Sequence, residues 1–164
     1  MTLDSKSYRN LWGGFATGVT VITTDCSGWL HGMTANGVTS VSLDPLLMLV
    51  CVDKNARCHA QLTEAGKFGV SFLAQSQEEV SNLFARGDDP EQGALRNAAF
   101  HMGPHGTPLV DGSLAHLECV VKEVLPGGDH DLFIGEVLDG EILDSEAPPL
   151  IFFRGSYREL GESP

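Results

Sequence analysis

The chain has no run of about 18 apolar residues, so no helix of it is built to cross a bilayer. Its start, MTLDSKSYRNLWGG, has no apolar signal core, and the expectation is a cytoplasmic protein without membrane contact. Positive charge is scarce: 10 Lys and Arg against 22 Asp and Glu leave a net charge of −12 on 164 residues. A surface of that sign repels phosphate, which excludes nucleic acid and anionic lipid as partners, while a local pocket can still take a small anion. The four cysteines, Cys26, Cys51, Cys58 and Cys119, contain no Cys-x-x-C pair and fit reduced thiols in a reducing compartment. Cys51 and Cys119 lie inside strand-like runs, where a small buried thiol is ordinary. No G-x-G-x-x-G follows a strand, which excludes a Rossmann domain. TEAGK lacks the upstream glycine of a P-loop, and no G-x-S-x-G elbow is present. His101 and His105 are separated by Gly and Pro, so no helix aligns them, and no metal is expected.

What is there is a globular balance, 42% hydrophobic and 20% charged, of a size for one domain over residues 1–164. Tyr8, Leu11, Trp12 and Phe15 fall at helical spacing, and Gly13 and Gly14 end that helix. GVTVITT (18–24) reads as a strand followed by a DCSG turn. Residues 29–41 and 46–52 read as two strands joined at Leu-Asp-Pro. NARCHAQLTEAG reads as a helix capped by Asn55 and closed by Gly66. KFGVSFL is a strand. In SQEEVSNLFARG, Ser76 and Glu79 form a capping box, Val80, Leu83 and Phe84 supply the buried side, and Gly87 closes the helix. Residues 87–112 read as a long loop. SLAHLECVVKEVL, a PGGD turn and HDLFIGEVLDGEIL form a long hairpin, and PLIFFRG is a last strand. Many strands with few short helices predict a mainly β fold, an antiparallel barrel with helices at its ends.

Three features bear on chemistry. In TANGVTS, alternation puts Thr34, Asn36, Val38 and Ser40 on one face and Ala35, Gly37, Thr39 and Val41 on the other. A strip of small polar residues suits a flat heterocycle, with Gly37 opening the backbone to approach. The same pattern also fits the solvated face of an ordinary strand. Next, KNARC starts a helix directly after Asp53, and free N–H groups there, with Lys54 and Arg57 alongside, form an anion site. Asn55 as a plain cap is the other reading. Finally, His130 follows a Gly-Gly-Asp turn, where a histidine titrates near neutrality or is simply exposed. Tyr157 is a terminal aromatic that covers a ligand or closes the core.

FATGVTVITTD, HGMTANGVTSVSLDPLLMLVCVD, FGVSFL, GDHDLFIGEV and PLIFFRGSYREL resemble the flavin reductase-like, FMN-binding split-barrel family, above all its short-chain NAD(P)H:flavin oxidoreductases. The resemblance runs from about Phe15 to Leu160. It implies a six-stranded antiparallel split barrel with a few short peripheral helices, acting as a homodimer. It further implies hydride transfer from NADH or NADPH to FMN or FAD, for a separate flavin-dependent monooxygenase. Carried over by position, Thr34, Ala35, Asn36 and Gly37 line the flavin ring, and Ser40, Val41 and Ser42 follow the cofactor chain. Cys51, Val52 and Asp53 pack near the ring and ribityl part, while Asn55, Arg57 and Cys58 meet the phosphate. His130 takes the nicotinamide side, as the one catalytic candidate, and Tyr157 stands beside the site. Gly37, Asn55 and Cys58 replace the serine, serine and threonine commoner in the family. The other functions compatible with such a barrel are a flavin or haem carrier or sensor without turnover, and a bound-flavin reductase of another acceptor such as a cobalamin.

Overall fold

The computed structural model describes residues 3–86 and 94–161. The described chain is mainly β. It has three short α-helices, α1 (Ser5–Trp12), α2 (Arg57–Ala65) and α3 (Glu78–Ala85), and twelve strands. The first six strands are β1 (Thr17–Gly18), β2 (Thr20–Cys26), β3 (Trp29–Ala35), β4 (Val38–Leu43), β5 (Leu46–Asp53) and β6 (Lys67–Phe72). The rest are β7 (Phe100–Met102), β8 (Pro108–Val110), β9 (Ala115–Gly127), β10 (His130–Ile142), β11 (Ile151–Phe153) and β12 (Ser156–Arg158).

Seven strands form one antiparallel sheet in the order β3-β2-β6-β9-β10-β5-β4. The family resemblance implies six strands; this sheet has seven, and the run 29–41, read as one strand, breaks at Asn36–Gly37. Every neighbour in the sheet is antiparallel, so its two edge strands, β3 and β4, run the same way. Only two residues separate them in sequence. The sheet therefore curls until its edges meet, and the Gly37 carbonyl accepts from Cys51 N–H at that corner (2.8 Å). The break also shifts the alternation. Ala35 and Val38, three apart, both pack on the same core, so the two faces read across TANGVTS are not continuous.

Burial on both sides of β2 explains its composition. Ile22 joins Val50, Val52, Leu62, Phe68, Val70 and Phe133 inside the curl, while Val21 joins Leu73, Phe84, Val110 and Leu150 outside it. The threonines flanking them are buried with their hydroxyls paired: Thr20 donates to the Ala35 carbonyl (2.7 Å), Thr24 to that of Lys67 (2.9 Å) and Thr23 to that of Pro108. Helix α2 lays Cys58 and Leu62 on the inner core.

Several local expectations change. Helix α1 forms and Gly13 caps it, but none of its residues is buried. The cap of α2 is Ala56 rather than Asn55, because Asp53 Oδ1 takes both the Asn55 N–H (2.8 Å) and its side-chain amide (3.3 Å). Gly66 ends α2 in the left-handed conformation, φ 65°, as expected of it. Ser76 is not a cap, since Gln75–Gln77 form a 3₁₀ turn before α3. There Gln77 accepts from Ala74 N–H (3.0 Å) and donates to the Asp111 carbonyl (2.8 Å). Gly87, read as the end of that helix, lies outside the described residues. The expected loop 87–112 holds a 3₁₀ turn at Ala94–Asn97 and the β7–β8 hairpin. Glu118, buried on β9, secures that hairpin by accepting from His105 N–H (3.1 Å), Thr107 N–H (3.1 Å) and the Thr107 hydroxyl (2.7 Å).

Candidate active site

The corner where the sheet edges meet opens into a cleft of about 720 Å³. Its floor is the end of β3 and the break, Met33 to Gly37. One wall is the outward face of β5, Cys51 and Asp53, continued by Asn55–Cys58 at the start of α2. The opposite wall is the end of α3, from Phe84 to Arg86, and His130 at the start of β10 closes the rim. Register places His130 directly across from Asp53, so the two share one face of the β5–β10 pair. Three stretches far apart in sequence thus converge because β4, β5 and β10 are neighbours in the sheet.

The floor needs small residues. A Cβ on Gly37 would stand 3.2 Å from Cys51 Cβ, and one on Gly32 would run into the Phe84 ring at 2.6 Å. Burial raises the Cys51 thiol above its usual pKa, which keeps it neutral beside the floor. Thr34 turns away from the cleft centre, its hydroxyl donating to the Ser81 carbonyl on α3 (2.6 Å). His130 is tied by Nδ1 to Asp129 Oδ1 (2.8 Å), and the hydrogen bond with His130 lowers the Asp129 carboxyl below its usual range.

Of the residues singled out in the sequence, the cleft gathers Thr34, Ala35, Asn36, Gly37, Cys51, Asp53, Asn55, Arg57, Cys58 and His130. Others stand elsewhere. Ser40, Val41 and Ser42 continue along edge strand β4, beyond the cleft walls. The Val52 side chain is fully buried in the inner core, because strand alternation turns it opposite to Cys51 and Asp53. Tyr157 lies behind α3, in a neighbouring cleft of about 370 Å³ that shares Thr34, Asn36 and Ala85 with the first. Its hydroxyl meets Ser81 Oγ at 2.7 Å. Lys54, read as a cation beside the anion site, does not line the cleft; its ammonium reaches Gly128 and Asp131. The sequence reading missed His31, Met33, Phe84 and Arg86 as wall residues. The signal for Phe84 and Arg86 was the end of a short amphipathic helix, which by itself specifies burial and not a ligand.

Among the described residues no group of His, Cys, Asp or Glu has the arrangement of a metal site. No helix among them is long and apolar enough to cross a membrane.

Comparison with known proteins bears on the family and the fold. Residues 12–161 match the family model described as flavin reductase like domain. The chain is 42% identical over 155 residues to the NADH-dependent flavin reductase of a Rhodococcus species, covering 93% of this chain and 84% of the relative. It is 36% identical over 154 residues to the reductase component of the flavin-dependent trigonelline monooxygenase of Acinetobacter baylyi. That match covers 93% of this chain but 48% of the relative, so the chain spans about half the length of some curated relatives. Among solved structures, the NADH:FAD oxidoreductase SgcE6 of Streptomyces globisporus superposes with a TM-score of 0.92 at 37% identity, over 99% of this chain and 98% of that one. A curled antiparallel sheet, a small-residue corner cleft and a match along nearly all of the sequence lead to one assignment: the chain belongs to the flavin reductase like family.

Proposed function

We propose that the chain is an NAD(P)H-dependent flavin reductase whose corner cleft takes the flavin, and that it delivers reduced FMN or FAD to a separate flavin-dependent monooxygenase. The observation that carries this is the convergence of the Thr34–Gly37 floor, the first turn of α2 and His130 in one cleft. The residues fit the group. Glycine at 37 leaves a flat bare-backbone floor that a side chain would fill against Cys51. Arg57 and Arg86 line the same cleft in a chain that is otherwise strongly acidic, which suits an anionic tail.

A bound flavin supplies the ring that accepts hydride at N5 from nicotinamide C4; the protein binds and orients both partners. The floor residues and Cys51 would hold the ring. Arg57, with Asn55 and Cys58, meets the phosphate. His130, at the rim, would take the nicotinamide side and limit how the reductant enters. Its Nδ1 is engaged by Asp129, so Nε2 is the ring atom available to the substrate. Orientation is the main task, because hydride transfer needs close, aligned atoms and no general acid. The relatives' dependence on NADH favours NADH as the reductant.

In the same reading, residues 1–164 are one domain, β3 and β4 act as a single strand bent at Asn36–Gly37, and the curl is a six-stranded split barrel. The exposed apolar side of α1 supports a homodimer. Purified protein supplied with FMN or FAD and NADH is expected to consume NADH steadily with flavin in excess. An unchanged NADH absorbance would overturn the assignment, and a single stoichiometric reduction would replace a diffusing flavin with a tightly held one.

A further inference from the structure

Lys54 directly follows Asp53, the last residue of β5, and is tied to the turn that carries His130. Its N–H donates to the Asp129 carbonyl (3.1 Å), its ammonium donates to the Gly128 carbonyl (2.7 Å), and the same ammonium lies 3.4 Å from Asp131 Oδ1. These three residues bracket His130. The second oxygen of Asp131 meets His59 Nε2 on α2 at 2.7 Å, so the carboxylate also fastens the helix to the base of the turn. The hydrogen bond from His59, followed by that from Lys54, holds the Asp131 carboxyl below its usual range. The His59 ring in turn packs edge-on against the buried Phe133 (5.3 Å), which gives the assembly a rigid base in the core. The β9–β10 pairing of Gly127 with His130 closes the turn, and Gly128 within it is left-handed, φ 78°.

We propose that Lys54 is a positioning residue that fixes the His130 turn at the rim of the flavin cleft, coupling the reductant side of the site to the start of α2. The proposal rests on the flavin reductase reading. Its ammonium is partly exposed, 41% for the side chain, so the links contribute little to global stability and act on where the turn stands. Because the links of Lys54 go to residues 128, 129 and 131 and not to the cleft floor, the effect is expected on the reductant and not on the flavin.

The test compares wild type, Lys54→Met, Lys54→Arg, His130→Ala and the Lys54→Met/His130→Ala double variant. It reads NADH KM and kcat, flavin Kd from fluorescence quenching, and amide hydrogen exchange at residue 54. Lys54→Met is expected to raise NADH KM about tenfold while flavin Kd stays within about twofold. Exchange at residue 54 is expected to quicken about tenfold as the turn loosens. Lys54→Arg, which keeps a cation on a long stem, is expected to recover most of the loss. In the His130→Ala background the Lys54→Met change should add less than about twofold, because both act through the same ring. A matching rise in flavin Kd, an equal loss in both backgrounds, or wild-type kinetics in Lys54→Met would each overturn the proposal. Asp131→Asn removes the ammonium's carboxylate partner without touching Lys54 and must show the same NADH-selective loss should Lys54→Met fold poorly. A wild-type protein that consumed no NADH would defeat the functional reading first; wild-type turnover with an unaltered Lys54→Met defeats the positioning role alone.

Discussion

Arg57 and His130 line one cleft, and each is expected to fail in its own way. Arg57→Ala removes a cation from the start of α2, and under the proposed function flavin Kd measured by fluorescence quenching should weaken by about 1 to 3 kcal/mol, the scale of a lost charged hydrogen bond. An unaltered Kd would remove Arg57 from the phosphate end. His130→Ala should leave flavin affinity in place and lower kcat/KM for NADH about tenfold to a hundredfold, the range for one positioned group. Stopped-flow reduction at saturating flavin separates the two, and equal kcat/KM in the variant would take His130 out of the reaction. Glycine at 32 makes a third residue-scale case. Its missing side chain leaves space that Phe84 fills, and an added Cβ would come within 2.6 Å of that buried ring. Gly32→Ala should cost about 1 to 3 kcal/mol in urea unfolding, as overpacked positions do. Cleft and outer core meet at this residue, so a variant that unfolds at the wild-type urea midpoint would mean that Phe84 has room to retreat.

Individual elements show which parts of the molecule were legible in the sequence. Strands β2, β5, β6, β9 and β10 announce themselves by β-branched and aliphatic runs between Gly and Pro turns, and the structure places them where those runs lie. The run 29–41 has the same local signal throughout, but only the closing of the sheet reveals that Asn36–Gly37 is a corner dividing it. For the same reason TANG was legible as a small-residue patch while its facing walls were not. Arg86 and His31 reach the cleft through the packing of α3 against β3, which no spacing in the sequence encodes. Val52 shows the converse: a resemblance by position named it, and strand alternation buries it. The β7–β8 hairpin was illegible because its strands are three residues each, too short for a period to register. Its attachment carries a pH prediction. His116 is buried on β9, with Nε2 on the Val110 carbonyl (2.7 Å) and its ring 5.4 Å from that of His101, which pairs with Asp111. Burial lowers its pKa from 6.5, outweighing the upward pull of the Val110 carbonyl, Asp111 and Glu141, while His101 adds to the lowering. The unfolded chain therefore binds the proton more readily, so the stability from neutral His116 is full above about pH 6.5 and drains as pH falls toward the folded value. Melting temperatures between about pH 7.5 and 5 should decline in the wild type and flatten in His116→Gln, which retains an N–H for Val110; parallel declines would assign the loss to other groups.

At the scale of the whole molecule, the surface of α1 does not match that of a free monomer. Tyr8, Leu11, Trp12 and Phe15 are 56%, 68%, 60% and 63% exposed, and no residue of the helix is buried. Their rings nonetheless form a connected strip, Tyr8 stacked on Trp12 at 6.4 Å and Trp12 against Phe15 at 5.5 Å. A helix of eight residues has no stability of its own in water, so its apolar side needs a cover to justify the pattern. The cavity beneath it, about 590 Å³, reaches Asn36 at the edge of the corner cleft, so whatever covers α1 also borders that cleft. A second copy of the chain is the occupant implied by the family resemblance. Light scattering should then give twice the 17.5 kDa chain mass at micromolar concentration, and the melting temperature should climb with protein concentration, as association with the native state requires. Trp12→Glu places a charge in the centre of the strip and should yield a monomer that melts lower and independently of concentration. Because the cavity ends at Asn36, the same variant should lose flavin affinity although it alters no residue of the cleft itself. A wild-type monomer at high concentration would refute the dimer, and a Trp12→Glu dimer of undiminished stability would move the interface elsewhere, to the exposed ends of the β9–β10 hairpin where Val124, Leu125 and Ile142 also face outward.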